Sequence, residues 1–253
     1  MLEQFAAVNI WMLTLVMTRL GTMLSLVPGF GASYVLPRYR LSLALVMSFM
    51  LLPVVSKYLP PMPDAVPLLI LTLAGEVVIG AFMASIAIAV VSALQTAGTL
   101  IALFSSMANA LVQDAVSQQQ SSVAAGFLSI MGILLIFVTD LHHLMLRALV
   151  ESFELFRPGQ PLMFGDMSET VARRVADAFA LGLKMSAPLL IVALAYYVTI
   201  GVLGRLMPQL QVFFFGLPVQ IMLQLWVFMV ALSGMMLVFL EMFRDSYASF
   251  LGA

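Results

Sequence analysis

The apolar positions of this chain run in long continuous stretches with few polar residues between them. The stretches extend approximately over Ile10–Val27, Leu41–Val55, Val66–Phe104, Val123–Thr139, Ser168–Leu206 and Val212–Leu240. Their apolar and polar residues do not alternate as they do in the strands of a membrane barrel. Because lipid offers no hydrogen bonds to the backbone, a spanning segment that is not a barrel strand must be a helix. The pattern therefore predicts an all-α, integral membrane-type protein with long helices.

The stretch from Val66 to Phe104 is too long for an ordinary membrane crossing. As one helix it would reach roughly 58 Å, whereas the hydrocarbon core of a bilayer is about 30 Å thick. Small residues recur along it at a spacing of four, namely Ala81, Ser85, Ala89, Ala93 and Ala97. Such a row lets neighbouring helices approach closely, so we expect one continuous helix with several packed neighbours.

The composition supports a membrane protein. Hydrophobic residues make up 63% of the chain and charged residues 9%, whereas a soluble domain has about 45–50% and about 25%. The net charge of −1 gives no indication of nucleic-acid binding. The chain contains no cysteine, which excludes disulfides, thiolate metal sites and cysteine nucleophiles.

A polar run, SSMANALVQDAVSQQQSS, interrupts the apolar pattern from Ser105 to Ser122, with Asp114 as its single charge. On the residues alone it fits a solvated connector or a mobile gate in a membrane conduit, and both interpretations stay open. The candidate gate residues are Ser105, Ser106, Met107, Ala108, Asn109, Ala110, Leu111, Val112, Gln113 and Asp114.

Several charged residues lie inside or next to the apolar segments, where they are costly unless they are paired or functional. On one helix, an arc of about 80° would hold Asp140, His143, Arg147, Glu151 and Glu154. We interpret this arc as a self-neutralising polar stripe docked on a neighbouring helix. In this stripe Arg147 can pair with Glu151 or His143, each four residues away. A proton or ion path is the alternative. For Glu76, in GEVVIG, we expect a structural pairing with a partner subunit rather than a titrating role.

The sequence gives no sign of catalysis or of a bound cofactor. It lacks HExxH, GxSxG, a P-loop and GxGxxG. Its two histidines, His142 and His143, are adjacent, and adjacent side chains on a helix point about 100° apart. We therefore expect that they do not share a metal ion, and we predict neither an enzyme nor a metal or cofactor site.

Four motifs resemble one family when they are taken in order. They are GEVVIG (75–80), QTAGTLI (95–101), DLHHLMLRALVESF (140–153) and RLMPQLQVFFFGLPVQI (205–221). Together they resemble the FliR family of flagellar type III export-gate proteins and its SctT relatives in virulence injectisomes. The more specific parts are the cluster that begins at His142 and the PQL-x-VF element, which contains Pro208 and Gln209.

This resemblance implies a fold, partners and a location. It implies a FliP-like part, residues 1–175, followed by a FliQ-like helical hairpin, residues 176–253. It also implies assembly with FliP-, FliQ- and FlhB-like subunits in the bacterial inner membrane at the flagellar basal body. The cargo would be unfolded flagellar proteins, and the loop at about 105–122 would plug the channel. The family usually has a glycine-rich run ending in Asp-Pro before the polar stretch, which this chain lacks.

Two other interpretations remain open at this point. An injectisome subunit of the SctT type would share the mechanism and differ in its cargo. A secondary transporter would use Glu76 and Asp140 as coupling sites, although the sequence contains no internal repeat of the kind that transporters show.

Overall fold

The computed structural model describes the backbone of residues 2–106, 111–113, 120–207 and 212–251, and the side chains of 10–106, 122–207 and 216–251. Most of this backbone is helical. The helices are α1 Leu2–Leu26, α2 Pro37–Val55, α3 Val66–Phe104, α4 Val123–Val138, α5 Leu141–Leu155, α6 Phe164–Leu206 and α7 Val212–Ala248. A 3-10 turn, Ser56–Tyr58, follows α2, and two short strands, β1 Leu111–Gln113 and β2 Gln120–Ser122, pair antiparallel.

Four helices in the described part of the chain are long and apolar enough to cross a membrane. They are Pro37–Tyr58, Val66–Phe104, Phe164–Leu206 and Gly216–Ala248, and the bent pair formed by α4 and α5 brings the number to five at most. The 39 residues of α3 form one uninterrupted helix with the bounds that the sequence predicts. The prediction of an all-α, membrane-type protein with long helices is therefore confirmed.

Local chemistry explains where several helices begin and end. Pro37 opens α2, where its fixed φ suits the first helical turn. Gly29 and Gly159 have φ angles of 98° and 81° in the connections before α2 and α6, a conformation that glycine adopts without strain. The structure corrects one predicted start. Helix α6 begins at Phe164 and not near Ser168, and the Ser168 hydroxyl donates to the Gly165 carbonyl inside the first turn.

The chain folds into two units, and the first comprises residues 1–89, 136–174 and 243–253. One apolar cluster in this unit contains Trp11, Leu15, Val16, Val55, Leu59 and Phe153. The Tyr247 hydroxyl donates to the Met83 carbonyl at 2.9 Å, which ties the end of α7 to α3. This unit thus packs α1, α2, the first part of α3 and α5 around a common core.

The second unit comprises residues 90–135 and 175–242. Its helices approach closely where side chains are small, as the row of small residues predicts. Ala93 and Ala97 are fully buried. A Cβ added to Gly98 would lie 2.2 Å from the Cα of Ala125, and one added to Gly182 would lie 3.0 Å from the Ala93 carbonyl oxygen. The backbones of α4 and α6 therefore pack directly on α3 in this unit.

The four span-length helices differ in how far the chain encloses them. In the most apolar 18-residue stretch of α3, 67% of the residues are buried, against 17% in the span Pro37–Tyr58, 11% in α6 and 22% in α7. Large apolar side chains such as Ile191, Val198, Met222 and Met229 are more than 60% exposed. Apolar surface of this extent fits contact with lipid or with other subunits.

Candidate functional site

The polar run between α3 and α4 is anchored at its two ends. Of the candidate gate residues, Met107–Ala110 and Asp114 lie outside the described residues. Leu111, Val112 and Gln113, which are described by their backbone, make up the strand β1. This strand pairs with β2, with Leu111 opposite Ser122 and Gln113 opposite Gln120. Within the described residues, the run therefore contains a short antiparallel pair whose second strand leads directly into α4.

At the first anchor, two serines, Ser105 and Ser106, follow the last residue of α3. The Ser105 amide donates to the Ile101 carbonyl at 2.9 Å, and its buried hydroxyl donates to the Ala102 carbonyl at 3.2 Å. Ser106 then adopts a φ of 59°, in the left-handed region that usually holds glycine after a helix. A non-glycine residue pays about 1–2 kcal/mol in this conformation. The turn at Ser106 therefore needs support from its surroundings.

Gln220 of α7 supplies a support for the end of α3. Its side-chain nitrogen donates to the Phe104 carbonyl at 2.9 Å and to the Tyr197 hydroxyl at 2.8 Å. The same hydroxyl lies 3.4 Å from the Ser106 hydroxyl. Gln220 is only 2% exposed, so these bonds form away from solvent, and they satisfy a carbonyl that the helix end leaves unpaired.

At the second anchor, Ser122 starts α4 and also holds it to α3. The Ser122 hydroxyl accepts a hydrogen bond from the Ala125 amide at 3.2 Å, which is the geometry of a helix N-cap. It also donates to the Gly98 carbonyl at 3.1 Å. Both ends of the 105–122 segment are therefore fixed within about two turns of α3. Serine N-caps are recognisable in sequence, but the choice of Gly98 as the second partner is not.

A second candidate site is a buried ion pair between α1 and α3 in the first unit. Arg19 donates from Nε to Glu76 Oε2 at 2.6 Å and from Nη2 to Glu76 Oε1 at 3.1 Å. The two side chains are 0% and 1% exposed. The structure corrects the expectation for Glu76, because its partner is a residue of the same chain and not of another subunit. An Arg and a Glu isolated in apolar segments are the available signal, but the sequence alone assigns no role to Arg19.

Helix α5 completes the surroundings of the Arg19 guanidinium. Nη1 donates to the Ser152 hydroxyl at 3.0 Å, and Nη2 donates to the Phe156 carbonyl at 2.8 Å. The guanidinium carbon lies 3.9 Å from the centre of the Phe153 ring. Arg19 thus joins three helices, α1, α3 and the end of α5, through bonds to a carboxylate, a hydroxyl and a carbonyl.

The predicted polar stripe is exposed in this chain and does not meet Glu76. The exposed members include His143, Arg147, Glu151 and Glu154, while the buried face of α5 carries Met145, Ala148, Leu149, Ser152 and Phe153. Glu154 accepts a hydrogen bond from the Tyr58 hydroxyl at 2.6 Å. Within the described residues Arg147 forms no ion pair, which corrects the expected i±4 pairing.

Two further details of this region differ from the sequence interpretation. Asp140 has a φ of 59° and precedes α5 as its N-cap, so it does not share a helical face with the rest of the stripe. His142 and His143 have ring centres only 4.1 Å apart, which corrects the argument that adjacent side chains diverge. The expected family residues Pro208 and Gln209 lie outside the described residues.

Comparisons with known proteins agree over nearly the whole length of the chain. The model of the family "Bacterial export proteins, family 1" matches residues 10–246. The flagellar biosynthetic protein FliR of Caulobacter vibrioides is 31% identical over 239 residues, which cover 94% of this chain and 95% of that protein. The FliR proteins of Aquifex aeolicus and Bacillus subtilis are 27% and 26% identical, over 92% and 90% of this chain and 89% of each relative. This chain belongs to the bacterial export proteins of family 1, the family of the FliR proteins.

Proposed function

We propose that this chain is a core subunit of the flagellar type III export gate in the bacterial inner membrane, at the flagellar basal body. With FliP- and FliQ-like subunits it forms the channel through which unfolded flagellar proteins leave the cell, next to an FlhB-like subunit. Its role is structural and gating rather than enzymatic. The observation that carries the proposal is the family match, which extends over residues 10–246 and includes relatives named for flagellar biosynthesis.

The segment 105–122 is the part of this subunit that helps to close the channel. A closing loop needs ends that stay in place. The bond of Gln220 to the Phe104 carbonyl ties the first end to α7, and the bond of Ser122 to the Gly98 carbonyl ties the second end to α3. Between these anchors the sequence holds small and polar residues with a single charge. Such a segment presents no strong binding surface for lipid, which suits an element that fills an aqueous channel.

Residues 1–175 form the FliP-like part and residues 176–253 the FliQ-like hairpin in this proposal. Two long apolar helices, α6 and α7, supply the arms of the hairpin. The Tyr196 hydroxyl donates to the Gly216 carbonyl at 2.6 Å, across a sequence separation of 20 residues. This contact supports a reversal of the chain between the two arms.

The polar stripe and the ion pair have different tasks in this account. The Arg19–Glu76 pair holds helices of the subunit together. The exposed side chains of Arg147 and Glu151 are available to polar groups of neighbouring subunits. Because Glu76 is engaged by Arg19 on both carboxylate oxygens, a structural role suits it better than the coupling role that a secondary transporter would require.

Co-expression and purification test the proposal directly. The tagged chain, extracted with mild detergent after expression with its FliP- and FliQ-like partners, is expected to elute with both in one complex. A preparation in which this chain elutes alone as a folded monomer, while the two partners associate with each other, would reject the assignment. Expression beside the corresponding injectisome subunits distinguishes the flagellar partner set from the SctT type.

A further inference from the structure

Three side chains that are able to ligate a metal meet at the break between α4 and α5. They belong to Asp140, His142 and His143, and their ligand atoms all lie within 4.8 Å of one another. Imidazole nitrogen and carboxylate oxygen are the ligands that Zn²⁺ and neighbouring divalent transition metals accept in proteins. This cluster shares no residue with the anchors of the 105–122 segment or with the Arg19–Glu76 pair.

The backbone at the break brings Asp140 and His143 together. Asp140 is left-handed, with φ 59° and ψ 15°, and its carbonyl accepts a hydrogen bond from the His143 amide at 3.0 Å. This turn leaves the carboxylate oxygen of Asp140 3.4 Å from Nδ1 of His143. Ligand atoms at about 2.1 Å from a tetrahedral Zn²⁺ are about 3.4 Å apart. The pair therefore already spans one edge of such a site.

His142 is held in place by aromatic packing. Its ring stacks on Phe137 with centres 5.0 Å apart, and Phe137 meets the edge of Phe30 at 5.2 Å. Its Nδ1 atom is buried and has no hydrogen-bond partner among the described residues. A buried polar atom without a partner costs free energy. Within the described part of the chain, no existing hydrogen bond at Nδ1 therefore has to be broken when the His142 ring binds an ion.

We propose that Asp140, His142 and His143 bind one divalent transition metal ion, with Zn²⁺ as the best-fitting ion and water completing the coordination. Asp140 and His143 are 77% and 63% exposed at their side chains, so they are able to close on an ion without disturbing the core. The bound ion would fix the carboxylate of Asp140 to the first turn of α5. It would thereby stiffen the break between α4 and α5.

Zinc binding to the purified full-length chain tests this proposal. The chain carries an affinity tag without histidine, and Zn²⁺ is titrated in competition with a chromophoric chelator. One Zn²⁺ per chain is expected for the natural sequence. Asp140→Asn and His143→Gln are each expected to weaken binding by about tenfold or more. Glu151→Gln, which neutralises an exposed carboxylate on the same helix, serves as the matched control and is expected to bind like the parent chain.

Co²⁺ provides a second readout that reports geometry. Absorption bands of the intensity typical of tetrahedral Co²⁺ are expected for the parent chain and are expected to disappear in His143→Gln. Unchanged helical circular dichroism shows that the variants fold. Because the chain has two histidines in all, no other imidazole pair is available to replace these ligands. Equal Zn²⁺ affinity of the parent chain and an Asp140→Asn/His143→Gln double variant would overturn the proposal. This outcome would leave the export-gate assignment untouched.

Discussion

Arg19 Nε lies 2.6 Å from Glu76 Oε2, and the two side chains of this pair are almost completely buried. Each charge would be costly in apolar surroundings without the other. The pair forms two parallel N–H···O bonds, the geometry in which arginine binds carboxylates most strongly. It thus fixes α1 against α3 at one defined register.

Breaking this pair is predicted to destabilise the subunit strongly. Glu76→Gln leaves the Arg19 guanidinium buried without a counter-charge, and Arg19→Met leaves the Glu76 carboxylate in the same condition. Each change is expected to cost about 3–5 kcal/mol of unfolding free energy. The midpoint of thermal unfolding of the detergent-solubilised chain, followed by helical circular dichroism, measures the loss.

Removing both charges together is predicted to recover much of that loss. The double variant Arg19→Met/Glu76→Met leaves no unpaired charge, although the Phe156 carbonyl loses the donor that Arg19 supplied. Glu169→Gln removes the partner of Arg173 in an exposed pair on α6 and is expected to change the midpoint little. A double variant no more stable than either single variant would show that the hydrogen bonds of Arg19, and not its charge balance, dominate.

Gln220 is predicted to support the turn that begins the 105–122 segment. Gln220→Leu keeps the size of the side chain but removes the donor to the Phe104 carbonyl and the Tyr197 hydroxyl. A cost of about 1–3 kcal/mol is expected for the buried groups left unpaired. Hydrogen exchange of the Ser105 and Ser106 amides is expected to accelerate. Met222→Leu, a change at an exposed position of the same helix, is expected to leave that exchange rate unchanged.

Two glycines of α3 provide a matched test of close helix packing. Gly98→Ala would place a Cβ 2.2 Å from the Cα of Ala125, whereas a Cβ at Gly75 would meet nothing within 4 Å. Gly98→Ala is therefore expected to destabilise the chain by about 1–3 kcal/mol. Gly75→Ala is expected to stabilise it by about 0.4–1 kcal/mol, because alanine restricts the unfolded chain. Thermal unfolding of the two variants is expected to shift in opposite directions, and equal shifts would argue against the α3–α4 contact.

The exposed stripe on α5 is predicted to act in assembly rather than in folding. Reversing charges in Arg147→Glu and Glu151→Lys is expected to leave the unfolding midpoint of the isolated chain nearly unchanged, since both side chains are exposed. The same variants are expected to reduce the yield of the complex with FliP- and FliQ-like partners. A reduced midpoint without any change in yield would instead assign the stripe to the fold of this subunit.

Sequence pattern predicts the helices of this chain well because lipid and packing act on whole segments. The bounds of α3 follow from a proline-rich stretch before Val66 and a polar run after Phe104. Its tight packing follows from small residues such as Ala93 and Ala97, which are fully buried. Family resemblance adds the expected partners, which neither periodicity nor composition contains.

Individual pairings escape the sequence because they depend on which helices meet. Arg19 and Glu76 are 57 positions apart, and periodicity within one segment does not reveal a partner in another. The grouping of Asp140 and the adjacent histidines escapes the sequence for a different reason. The pattern predicts a regular helix through Asp140, whereas the left-handed backbone at Asp140 ends that regularity. A helix break of this kind changes the direction of every side chain near it.

The ion conductance of the assembled complex tests the central claim most directly. Complexes containing the parent chain or a chain that lacks residues 108–118 are reconstituted in planar bilayers, after co-purification shows that both assemble. The shortened segment keeps Ser105 and Ser122 and thus its anchors. A closing role predicts a clear rise in resting conductance for the shortened chain. Equal conductance of the two complexes would contradict the assignment of the 105–122 segment as the element that closes the channel.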